Sequence, residues 1–111
     1  MTEDLQDPAA QDGEAREPGA EGAVQRRLTI CNQKGLHARA AAKFVKLAES
    51  FDAQVTVIKG DTRVSGCSIM GLMMLAAGPG CAIDVEASGP AAAEAVDALA
   101  RLVAGKFDED E

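Results

Sequence analysis

Between residues 26 and 107 the apolar side chains switch repeatedly between a spacing of two and a spacing of 3.6, and few architectures accept that alternation. Leu28 and Ile30 alternate with Thr29 and Cys31, which predicts a first strand. Helical spacing follows over 38–50, where Ala41, Phe44 and Ala48, then Phe51, fall on one side. Ala53, Val55 and Val57 alternate with Gln54 and Thr56 as a second strand. The turn Lys59-Gly60-Asp61 leads into a short third strand over 62–64. A short apolar helix covers about 68–75 and stops before Gly78-Pro79-Gly80. Ile83, Val85 and Ala87 alternate with Asp84, Glu86 and Ser88 in a fourth strand. The last helix starts with Pro90 in its first turn, ends at Gly105 and buries Ala92, Val96, Leu99 and Val103. Each clear strand is apolar on one face only, so the order βαββαβα predicts a two-layer α+β domain. Its four-stranded antiparallel sheet is wet on one side and covered by three helices on the other.

The segments outside this pattern differ in kind. Residues 1–25 carry seven acids and one base with almost no large apolar groups, which predicts a disordered acidic tail. Residues 108–111 are all acidic and read as a second solvated tail. The formal net charge of -7 therefore conceals a domain, residues 26–107, with ten bases and seven acids.

Several functions drop out. No apolar run approaches the roughly 18 residues of a membrane span, and the acidic N-terminus has no secretory h-region. A cytoplasmic protein without membrane insertion is expected. The three cysteines, Cys31, Cys67 and Cys81, are far apart with no Cys-x-x-Cys, which fits neither a disulfide framework nor a zinc site. With neither Trp nor Tyr, a stacking platform for nucleic acid is not expected.

The first helix lacks a normal cap. Ser, Thr, Asp or Asn is favoured where a helix begins, yet His37 stands there, and it is the only histidine. The first amides of a helix have no intrahelical partners and the macrodipole is positive at that end, so the position suits an anion. Imidazole can act as a nucleophile at neutral pH. Arg39 offers a fork of donors matched to phosphate oxygens. A phosphoryl group on His37 would meet Arg39 and the free amides of Ala38 and Arg39. No second histidine or cysteine–carboxylate cluster lies nearby in sequence, so no metal is expected.

Two separated motifs, Gly-Leu-His-Ala-Arg at 35–39 and Ser-Ile-Met-Gly-Leu-Met at 68–73, share their spacing and their place in the element order with one family. Over about residues 26–107 the chain resembles HPr, the histidine-containing phosphocarrier of the bacterial phosphoenolpyruvate:phosphotransferase system. The resemblance implies an HPr-like open-faced β-sandwich. It also implies phosphorylation of His37 on Nδ1 by phosphorylated enzyme I, with phosphoenolpyruvate as ultimate donor, and transfer to a histidine of an enzyme IIA-type acceptor. Arg39 matches the family's active-site arginine. Such a carrier is stoichiometric, needs no cofactor and is expected to be a monomer. Both sugar transport and a nitrogen-related regulatory branch remain open as destinations.

Ser68 matches the serine that many relatives present to an HPr kinase/phosphorylase. By position it is also a helix N-cap, a role for which Ser65 competes. A short helix cannot bury all of Ile69, Met70, Met73 and Met74, so Ile69, Met70 and Met73 are expected at a partner surface, where Met adapts to several partners. Lys34 and Lys43 would steer acidic partners towards it, whereas Lys46 reads as part of a solvated helix face. Ala40 stands where many relatives have Pro, and both are tolerated in a first helical turn. Cys67 stands where a basic or hydroxyl residue is common. The alternative function is a regulatory HPr-like binding module controlled through Ser68 without phosphorelay.

Overall fold

The structure, a computed structural model, describes residues 23–109. Four strands and three helices follow in the predicted order: β1 Val24–Thr29, α1 Ala38–Glu49, β2 Gln54–Lys59, β3 Thr62–Ser65, α2 Ile69–Met74, β4 Ala82–Ser88 and α3 Ala92–Ala104. A 3-10 turn, Lys106–Asp108, closes the chain. The sheet is antiparallel in the order β1-β4-β2-β3. β4 is thus central, with Leu28 opposite Ile83 on one side and Val57 opposite Val85 on the other.

The period-two residues Leu28, Val55, Val57, Ile83, Val85 and Ala87 form the buried face of the sheet. α3 lies against β1 and β4, α1 packs on α2 and α3, and α2 leans on β3. Helical spacing supplies the facing layer: Ala41, Phe44 and Ala48 from α1, Leu72 from α2, and Ala92, Val96, Leu99 and Val103 from α3. Side chains on the opposite sheet face stay wet and pair across strands. Arg27 Nε meets Asp84 at 3.0 Å and Arg63 meets Glu86 at 2.9 Å. Exposed pairs of this sort contribute little because solvent screens them, so the apolar layer dominates.

Several boundaries shift by a residue or two, and four differences from the predicted pattern bear on the fold. β1 begins at Val24, not after residue 25, because Val24 pairs with Ala87 and packs on the core. The expected tail over 1–25 is thus shortened at its inner end, and residues 1–22 lie outside those described. Ile30 follows β1 instead of sitting in it, although it is fully buried and its amide bonds the Cys81 carbonyl. α3 starts at Ala92, two residues after Pro90.

The fourth correction concerns the C-terminal end. Asp108 and Glu109 are part of the fold, whereas the sequence predicts a solvated tail over 108–111; residues 110–111 lie outside those described. The anchor is Phe107, which is 0% exposed. Lys106, Phe107 and Asp108 all have positive φ near 60°, a conformation that disfavours residues with a Cβ. Burial of an aromatic ring offsets that cost.

Candidate functional site

Gly35 shapes the loop that presents His37. It has φ +65°, and an added Cβ would lie 2.4 Å from the Ala77 carbonyl oxygen. Only glycine permits both the left-handed backbone and that approach. The next amide, Leu36 N–H, donates to the same Ala77 oxygen at 2.9 Å, and the Leu36 side chain is buried. The loop is therefore fixed on both sides when the chain reaches His37.

His37 is the N-cap of α1, with extended φ and ψ. Its carbonyl accepts from Ala41 N–H at 2.8 Å, while its side chain makes no capping bond. The ring is half-buried at 28% exposure. It lies in a cleft with Gln33, Lys34, Ala38, Arg39, Lys43, Asp108 and Glu109. The structure thus brings Arg39 and the N-terminal turn of α1 to the histidine, as predicted. Arg39 is exposed, with no ion pair to another described residue. Lys34 is exposed as well. Lys43 is partly committed, because its Nζ donates to the Phe107 carbonyl at 2.7 Å.

Sequence reasoning missed Gln33, Asp108 and Glu109 of this cleft, and Asn32, which bonds Glu109. Glu109 Oε2 hydrogen-bonds His37 Nε2, and Glu109 Oε1 accepts from Asn32 Nδ2 at 3.0 Å. Asn32 is fully buried and also donates to the Gly35 carbonyl at 2.9 Å. These bonds, first that with His37 and then that with Asn32, hold the Glu109 carboxyl below the ordinary carboxylate range, against the opposing effect of burial. A folded pKa below the unfolded one adds stability at pH above the ordinary carboxylate pKa, and this is lost as pH falls through the folded value. The thermal midpoint of the wild type should therefore exceed that of Glu109→Ala at neutral pH. The gap should close in acid, below the ordinary carboxylate range. A gap independent of pH would contradict this account.

On α2 the four side chains in question are all exposed: Ile69 and Met73 at 40%, Met70 at 69% and Met74 at 75%. Leu72 alone from that helix is buried. The competition between serines is resolved. Ser68 is the N-cap, with Oγ accepting from Gly71 N–H at 2.9 Å, whereas Ser65 Oγ accepts from Cys67 N–H at 3.1 Å. Ser68→Ala should cost about 1 kcal/mol, read as a lower denaturant midpoint.

Among the described residues no group of three or more His, Cys, Asp or Glu could hold a metal ion, and no helix is long and apolar enough to cross a membrane. Among the described residues the site offers one imidazole, a guanidinium without an ion pair and the N-terminal amides of α1, a combination suited to an anion.

Known proteins resemble this chain over most of its described residues. A family profile described as "PTS HPr component phosphorylation site" matches residues 24–105. The phosphocarrier protein NPr of Shewanella violacea is 46% identical over 86 residues, covering 78% of this chain and 94% of the relative. The phosphocarrier protein HPr of Cupriavidus necator is 49% identical over 88 residues, 79% of this chain and 99% of the relative. Among solved structures, HPr-C-His from Thermoanaerobacter tengcongensis superposes with a TM-score of 0.76 at 39% identity, covering 79% of this chain and 99% of that one. HPr from Bacillus anthracis gives 0.70 at 42% identity, with 73% and 96% covered. A small α+β carrier fold with a histidine at a helix N-terminus is the class these features define. The chain belongs to the HPr family of the phosphotransferase system.

Proposed function

We propose that this HPr-type phosphocarrier takes its phosphoryl group on His37 Nδ1 from phosphorylated enzyme I, with phosphoenolpyruvate as ultimate donor. It then passes the group to a histidine of an enzyme IIA-type acceptor in the cytoplasm. The observation that carries this reading is the placement of a half-buried imidazole as the uncapped N-cap of a twelve-residue helix, in a cleft shared with Arg39.

The Nδ1 lone pair forms the new N–P bond as the donor's N–P bond breaks, and that bonding pair returns to the donor nitrogen. Three phosphoryl oxygens then need partners. The amides of Ala38 and Arg39, free of intrahelical bonds, and the Arg39 guanidinium supply them. The protein turns over no small molecule and acts as a stoichiometric relay. Lys34 and the exposed Ile69, Met70 and Met73 supply the partner surface, Lys43 contributing less because of its bond to Phe107. Ser68, half-buried beside exposed Met70, is the residue offered to an HPr kinase/phosphorylase. A phosphate there would meet the positive end of α2 and add charge to the docking surface without unfolding the domain.

The test is incubation with enzyme I and radiolabelled phosphoenolpyruvate. One acid-labile label per chain is expected, and adding an enzyme IIA should discharge it. Acid-stable phosphoserine formed only by a kinase, with no reaction with enzyme I, would overturn the relay and favour a regulatory binding module.

A further inference from the structure

The carboxylate of Glu109 meets His37 on Nε2, the ring nitrogen that the relay leaves unused. An ionised carboxylate only accepts hydrogen bonds, so Nε2 must carry the hydrogen of that contact. In a neutral imidazole the lone pair then belongs to Nδ1. Asn32 shows that the arrangement is built. Its two acceptors, the Gly35 carbonyl and Glu109 Oε1, fix which way its amide faces. That orientation leaves the buried Oδ1 without a hydrogen-bond partner among the described residues. A buried polar side chain is thus held donor-first against Glu109 at the expense of its own acceptor.

We propose that Glu109 is a positioning residue for phosphoryl transfer, holding His37 in the Nε2–H form so that Nδ1 is the nucleophile. The inference rests on the carrier reading above. As the Nδ1–P bond forms, the ring gains positive charge while Nε2 keeps its proton, and the carboxylate lies against that N–H throughout. The donor nitrogen recovers the electron pair of the broken bond, so no proton has to leave the site.

The geometry separates this role from a merely structural one. In Glu109→Gln the remaining oxygen still accepts from Asn32, which turns the new amide nitrogen towards His37. That nitrogen donates to Nε2 and forces the Nδ1–H form, which has no lone pair at the reacting position. Glu109→Ala removes the constraint and leaves the ring free to exchange hydrogens.

The experiment measures nitrogen NMR shifts of the His37 ring at neutral pH, together with the initial rate of label transfer from phosphorylated enzyme I. The wild type should show a protonated Nε2 and a lone pair on Nδ1. Glu109→Ala should move the two shifts together and slow transfer roughly tenfold. Glu109→Gln should reverse the assignment and slow transfer more, on the order of a hundredfold, and Glu109→Asp should recover part of the rate. A Gln variant as fast as wild type or faster than Ala, or unchanged ring shifts in all variants, overturns the role. Failure of the wild type to accept label would defeat the carrier reading instead, and the ring shifts would still decide the part played by Glu109.

Discussion

Replacing His37 with alanine is expected to abolish acid-labile labelling by enzyme I while leaving the domain folded. The ring bonds no core group and its contact is with Glu109. Its side chain caps no amide of α1, so there is no capping bond to lose, and the backbone bond from Ala41 N–H to residue 37 survives the change. The variant does lose the hydrogen bond that holds the Glu109 carboxylate to the ring, so its thermal midpoint at neutral pH should fall about as far as that of Glu109→Ala, with the fold kept and transfer lost altogether. Ser68→Ala, in contrast, should keep its label. Label retained by the His37 variant would remove the basis of the assignment.

Phe107→Ala is expected to have the largest effect on stability, about 3–5 kcal/mol. Total stability in domains of this size is about 5–15 kcal/mol, so the loss is a large fraction. The ring is fully buried, and it fixes a turn whose three residues all have positive φ. Its carbonyl also accepts from Lys43. Removing the ring should therefore release Glu109 from His37 and Asn32 and loosen Lys43. Chemical denaturation of the purified variant reads the first effect, and the His37 ring shifts read the second. A loss under about 1 kcal/mol would mean that Phe107 is not the anchor described.

The element order was legible because each strand buries a single face and each long helix a single stripe, so the period of the apolar residues reports the layer directly. Half of the site was legible for a similar local reason. Lys34, His37, Arg39 and Lys43 lie within ten positions of one another, and one loop and one helix turn carry them to the same cleft. The exposure of Ile69, Met70 and Met73 followed from the shortness of α2. Glu109 was not legible. A carboxylate in an acidic run reads as solvated, and its partners Asn32 and His37 lie more than seventy positions away. Asn32, a small polar residue in a loop, gives no periodic signal at all. The available clue was Phe107, one of three aromatic residues in the chain, placed after the natural stop of the last helix. Burial of an apolar ring there carries Asp108 and Glu109 back to the start of the first helix.

The left-handed closing turn also bears on how the protein should be handled. Its final described residue touches the imidazole, so an affinity tag joined directly after Glu109 would start at the cleft and crowd incoming proteins. Fusion at the other terminus enters through Val24, at the far end of a six-residue strand from the histidine loop, roughly 17–20 Å away along the sheet. Purification handles and fluorophores belong on that side.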